Sequence, residues 1–275
     1  MLNVEFQGTH VKTVRALLDT MKEMFTGPQP LIFSDEGLTI GNINSSKSAV
    51  MKLHIEPKFF TGYKISDDAR FGLSIDNLVK VFSKSPKEKA TVRLSFEDAT
   101  NKVDIRYEES HVVTTYQLPM HVIEESKENL QILKKSIELP LNINISCPPG
   151  FLRERLADIV PAFGNSTNKV VNIAFDPNTK SLCLKTGPDS TDFGATITIP
   201  ESETIKIIAT DDTKDVTTSD YDLEYLLMIQ KLDAIADSVS IEFAQDRPLR
   251  ILYSLADGHI TFMTLFAPIE KDKDS

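Results

Sequence analysis

Cysteine is nearly absent from this 275-residue chain. Cys147 and Cys183 are its only two, and their separation fits neither a CxxC metal or redox motif nor the disulfide framework of a small secreted domain. They read as small apolar fillers. No apolar run approaches the roughly 18 residues of a membrane span. The Met1 end, MLNVEFQGTH, has no basic n-region and no apolar h-region. The expectation is therefore a folded protein in water inside a cell, with no membrane partner. The glycosylation patterns at Asn44 and Asn165 then have no chemistry behind them. Catalytic signatures are missing too: there is no GxSxG, P-loop or GxGxxG, and His10, His54, His111, His121 and His259 fall on different elements without HExxH spacing. An enzyme needs a converging set of groups, so the expectation is a non-enzyme with no cofactor and no metal. Asp67-Asp68 and Asp211-Asp212 sit in loop-like stretches where turn carboxylates are usually solvated. A metal-dependent hydrolase built on such a pair remains an alternative, which turnover dependent on added divalent metal would revive.

Positive charge is also in deficit. The formal net charge is −10 and the pI near 5.1. Phosphate binding depends on concentrated Lys and Arg, so contact with nucleic acid has to come from a local basic face.

What the chain does have is an apolar content of 41%, enough for a core in one large domain or two ordinary ones, and a repeated order of elements. LNVEF reads as a strand. Val11, Val14, Leu18, Met21 and Phe25 then recur at helical spacing. Strand-like runs QPLIFSDEGLTI, SAVMKLHIE and ARFGLSI follow, and Ile75, Leu78, Val79 and Phe82 mark a second helix. TVRLSFED, KVDIRYEE and HVVTTYQLP close the half. The second half runs through LNINIS, a helix in PPGFLRERLADIVPAF, strands VVNIAFDP, SLCLKTG and GATITIP, a strand and helix in TTSDYDLEYLLMIQKL, and closing strands. Each half ends on an apolar-Pro pair, Leu118-Pro119 or Ala267-Pro268. An internal duplication of an α+β unit is the economical reading. Between the halves, PMHVIEESKENLQILKKSIELP is charged and bracketed by Pro119 and Pro140, as a surface connector should be. Leu130, Leu133 and Ile137 allow a short helix there as well as extended chain.

In FQGTHVKTVRALLDTMKEMF, DEGLTIGNINSSKSAVMKLHIE, GLSIDNLVKVF, DLEYLLMIQKL and DRPLRILYSLADGHITFMTLFAPIE, taken in order, the sequence resembles the sliding clamps of the proliferating cell nuclear antigen (PCNA) family over nearly its whole length. The resemblance implies a non-enzymatic processivity factor. Its fold is α+β, the DNA-clamp fold, with two topologically similar domains, each with antiparallel sheets outside and two helices inside, assembling into a pseudo-six-fold ring. The domains are expected at 1–119 and 141–270, with a connector at 120–140 and a charged tail at 271–275. Implied partners are double-stranded DNA held by its backbone, DNA polymerase, a clamp loader, and nuclease and ligase clients. A homotrimer or a heterotrimer of paralogues would serve, in the nucleus of a eukaryote or viral host or in archaeal cytoplasm. A checkpoint-type clamp subunit and a viral processivity factor are the alternatives within the fold; a plain interaction module without DNA is the one outside it.

Site residues follow from the resemblance and from helical spacing together. Lys12, Arg15 and Lys22 keep to one face of the first helix. Lys80 and Lys84 lie on the second, Arg153 and Arg155 on the third and Lys231 on the fourth, with Lys12, Lys80 and Lys231 ranked first. Asp19, Glu154 and Asp158 interrupt the pattern. The family's client-peptide pocket maps to Ile43, Lys47, Ser48, Val50, Leu139, Pro140, Pro248, Leu265, Ala267, Pro268 and Ile269; for Val50 and Leu139, core packing serves as well. Subunits are expected to join at strand edges, with Val112, Thr114 and Tyr116 meeting Leu182, Leu184 and Lys185 of the neighbour.

Overall fold

The computed structural model describes residues 2–83, 89–96, 101–123, 127–164, 166, 169–186, 194–210, 213 and 215–269. The first half runs β1 (Leu2–Gln7), α1 (Val11–Met24), β2 (Pro28–Ser34), β3 (Gly37–Ile43), β4 (Ala49–Ile55), β5 (Gly62–Ile65), β6 (Ala69–Ser74), α2 (Ile75–Phe82), β7 (Thr91–Phe96), β8 (Lys102–Glu109) and β9 (Val112–Pro119). A helix, α3 (Lys127–Ile137), follows. The second half runs β10 (Ile143–Cys147), α4 (Phe151–Ile159), β11 (Val170–Asp176), β12 (Ser181–Thr186), β13 (Thr196–Pro200), β14 (Lys206–Ala209), β15 (Thr217–Asp222), α5 (Leu223–Ile229), β16 (Ala236–Phe243), β17 (Leu249–Leu255) and β18 (Ile260–Phe266). The two orders are the same, element for element.

By contact the chain divides into two compact units, 1–135 with 255–262, and 136–254 with 263–275. The neighbour order in the first half is β5-β1-β7-β8-β9 and β4-β3-β2-β6; in the second it is β14-β10-β16-β17-β18 and β13-β12-β11-β15. Within its own half, each strand therefore has the same neighbours as its counterpart one repeat away. The helices cover their sheets with apolar stripes. α1 buries Val11, Leu17, Leu18, Met21 and Met24, and α2 buries Ile75, Leu78, Val81 and Phe82. Such side chains stabilise by about 1.5 to 3 kcal/mol each. Val14 and Val79, expected in the stripes, are only half-buried. In the second unit Phe151, Leu152, Leu156 and Ile159 of α4 and Leu223, Leu226 and Ile229 of α5 do the same. The Asp222 side chain caps α5 by accepting from the Glu224 N–H at 2.8 Å.

The short strands β5 and β14, four residues each, were not legible as strands. The connector question resolves to a helix: α3 spans 11 residues, and none of them is buried. No helix is long and apolar enough to cross a membrane, among the described residues.

Candidate nucleic-acid and peptide interfaces

α1 and α2 lie side by side, with their apolar stripes inward and their charges outward. Lys12, Arg15 and Lys22 are exposed on α1, and Lys80 on α2. They share that surface with Asp19, Glu23 and Asp76, so four cations stand among three carboxylates. Lys22 Nζ lies 2.8 Å from Asp76 Oδ1, and Arg15 Nε 3.6 Å from Asp19 Oδ2 one turn on. Arg15 also donates to the Ser83 carbonyl at 3.4 Å. The hydrogen bond and charge of Lys22 hold the Asp76 carboxyl below the usual carboxylate range, and Asp76 raises the Lys22 ammonium in turn. Lys12 and Lys80 make no ion pair among the described residues. Lys84 lies outside the described residues.

In the second unit Arg153 is exposed, whereas Arg155 is bound on both sides, 2.9 Å from Asp158 and 3.4 Å from Glu154. Lys231 is exposed on the 3-10 turn Gln230–Ala234 that follows α5. The same turn carries a residue that the spacing did not single out. Asp233 is 1% exposed, and its Oδ2 accepts the backbone N–H of Arg153 at 2.8 Å, near the start of α4. A carboxylate suits the positive end of a helix, and this one ties the Lys231 turn to the Arg153 helix. Its only sequence signal was an aspartate inside the apolar run KLDAI.

Exposed lysine and arginine side chains of this kind can meet a phosphate backbone without reading sequence. Partial self-neutralisation makes a test available. Asp76→Asn frees Lys22, and DNA retention is expected to survive higher salt than in the parent protein; equal or lower salt resistance in a salt titration would remove Lys22 from the DNA face.

The expected peptide-pocket residues divide between the units. In the first, Ile43 lines a cleft of about 260 Å³ together with Pro28, Pro30 and Gly41 from the strands and Leu130 and Leu133 from α3. A Cβ at Gly41 would stand 3.0 Å from Leu133 Cδ2, so the missing side chain is what seats the helix. Lys47 Nζ bonds Glu128 Oε1 at 2.6 Å, an exposed pair between the β3–β4 turn and α3. Ser48 Oγ is engaged within that turn by Ser46 and Asn44. Val50 is buried in the core and offers no side chain to a ligand.

In the second unit Leu139, Pro248 and Pro268 are half-buried, and Pro140, Ala267 and Ile269 exposed. Leu265 is 2% exposed and belongs to the core, so the apolar tail that reaches the surface begins two residues later than the run LFAPI suggested. Phe266 is buried against Tyr225, ring centroids 5.2 Å apart. Ile269 N–H donates to the Asp220 carbonyl at 2.8 Å.

β9 is the last strand of its sheet, and Val112 and Val113 are 64% and 51% exposed on it. Thr114 and Tyr116 are half-buried there. The expected partner strand needs correction. β12 is hydrogen-bonded on one side to β11 and on the other to β13. Leu182 and Leu184 are buried, and Lys185, though exposed, has no free strand edge to offer. The open edge on that side of the sheet is β13.

Duplicated α+β units, each pairing a helix couple with antiparallel sheets, define a chain of the DNA-clamp fold. Residues 1–129 match the family profile "Proliferating cell nuclear antigen, N-terminal domain". The chain is 24% identical to a DNA polymerase sliding clamp of Thermococcus fumicolans over 87% of its own length and 88% of the relative's. It is 23% identical to DNA polymerase sliding clamp 1 of Thermococcus kodakarensis (84% and 85% covered), and 20% identical to the DNA polymerase sliding clamp of Pyrococcus furiosus (94% and 96% covered). Over its first 129 residues the chain is thus similar to the PCNA family, and over most of its length to DNA polymerase sliding clamps.

Proposed function

We propose that this protein is a processivity clamp: three copies close into a ring around duplex DNA, and the ring holds polymerase and other replication enzymes to the template through short client peptides. The observation that carries this reading is the element-for-element repeat with identical strand neighbours in each half. Six such units per trimer give a near-symmetric ring. β9, with its exposed valines, meets β13 of the next copy, which removes two open edges at once. The helices face the DNA. Client peptides place an apolar plug against exposed residues of the Leu139–Pro140 and Ala267–Ile269 stretches.

A solution mass of about three times 30.7 kDa, with retention on nicked circular DNA and loss from linear ends, is the expected result. Trimers that stay equally on both forms would mean ordinary binding without topological linkage. A monomer lost from both would move the reading to a subunit of a mixed ring or a factor that works without a loader. The DNA face has its own check. Lys12→Gln with Lys80→Gln is expected to reduce the slope of log affinity against log salt by about 0.9 for each phosphate that the variant leaves unneutralised. An unchanged slope would place both lysines off the DNA.

A further inference from the structure

Arg250, on β17, is the least exposed cation in the described ion pairs, with its side chain 12% exposed against 19% for its partner Glu242. Its Nη1 donates to Glu242 Oε2 at 2.8 Å. Its Nη2 faces three backbone carbonyls, Leu139 at 2.8 Å, Ile137 at 2.9 Å and Ser136 at 3.2 Å. Two N–H groups shared among three acceptors form a fork over the last turn of α3 and the two residues beyond it. The last carbonyls of a helix lack partners within the helix, and a cation there also opposes the negative end of its dipole. Glu242 is fixed in turn, because Asn144 Nδ2 donates to its other oxygen at 2.9 Å and Ser240 Oγ donates to Asn144 at 3.2 Å. The Arg250 fork is therefore built from three neighbouring strands, β10, β16 and β17.

A helix with no buried residue has little packing of its own to fix where it ends. We infer that Arg250 is a positioning residue for client peptides. By clasping the Ser136, Ile137 and Leu139 carbonyls it fixes the Leu139–Pro140 wall in its binding geometry before a peptide arrives. This rests on the peptide-tethering reading above and deepens it. A preset wall spares the peptide the ordering cost that a loose one imposes, so losing the clasp weakens affinity although Arg250 need touch no client. A lysine can still pair with Glu242, but it lacks the planar fork.

The test uses the full-length chain and two variants, Arg250→Met and Arg250→Lys, with two readouts. Amide hydrogen exchange over 134–141 reports the clasp. Affinity for a dye-labelled short peptide carrying leucine and phenylalanine as its plug reports the site. Arg250→Met is expected to speed exchange in that segment on the order of tenfold and weaken the peptide by a similar factor, mostly through faster dissociation, with Arg250→Lys recovering part of both. Unchanged exchange in Arg250→Met would overturn the clasp. Faster exchange with unchanged affinity would leave a purely structural arginine and overturn the positioning role. If the parent protein fails to bind the peptide, the tethering reading falls and the positioning role with it, while the exchange arm separately decides whether the clasp exists.

Discussion

Replacing Val112 and Val113 together by glutamate is expected to leave a folded monomer of 30.7 kDa that no longer stays on circular DNA. The two valines sit at the start of an edge strand and are more than half exposed, so the isolated chain loses almost no core packing when they change. Pairing with a neighbour is where the cost falls. Two carboxylates would enter a newly formed sheet with no cation opposite, and uncompensated charge in such a place costs several kcal/mol. Charge on an edge strand is also the usual device against unwanted pairing. Size-exclusion chromatography with light scattering at micromolar concentration decides the matter, with denaturant unfolding as the control for folding. A persistent trimer would show that the subunits join elsewhere.

Asp233 is where the largest loss of stability from a single polar substitution is expected. Its Oδ2 holds the Arg153 N–H at 2.8 Å, and the buried Tyr253 hydroxyl lies beside the same carboxylate. Burial is the main force raising the Asp233 carboxyl above its ordinary value, only partly offset by the Arg153 N–H. The Tyr253 hydroxyl is raised well above its own, by burial first and the nearby carboxylate second. Asp233→Ala strands the N–H of Arg153, at a cost of about 1 to 3 kcal/mol. Asp233→Asn behaves differently, because the amide oxygen can keep the N–H and its nitrogen can donate to Tyr253. An acid whose folded value is raised contributes stability in acid that is lost as pH rises through that folded value. The asparagine variant is thus expected to gain on the parent as pH climbs from about 4 through the raised folded value, then run parallel. Urea midpoints at several pH values test this; a gap that widens toward acid would show that the carboxylate is favoured by its surroundings.

Much of the architecture was legible because period is a local property. The stripe Val11, Leu18, Met21 and the alternation in KVDIRYEE each declare an element without reference to the rest of the chain. Pairing is not local. SLCLKT reads as a strand, but nothing in its six residues says that β11 and β13 occupy both sides, and the misplaced subunit edge followed from that. β5 and β14 were missed because four residues hold at most two turns of the alternation. The charges were found, but their net effect was not. Arg155 looked available until Asp158 and Glu154 were seen on it. Arg250 and Asp233 stood in the sequence as an arginine in a strand and an aspartate in a turn. Their roles depend on backbone atoms more than a hundred residues away for Arg250 and 80 away for Asp233.

The duplication also leaves two versions of one landing place. Counting back from Ser74 and Asp222, the residues that precede α2 and α5, Gly72 and Asp220 occupy the same position in their halves. Each accepts a bond from the stretch of chain that follows the last strand of its half. At Gly72 the hold is double, with His121 both donating and accepting at 2.9 and 2.8 Å, and Ile123 is seated where a Cβ would stand. At Asp220 the backbone carbonyl accepts from the Ile269 N–H at 2.8 Å. The two-way bond and the seated Ile123 hold Met120–Ile123 against local opening.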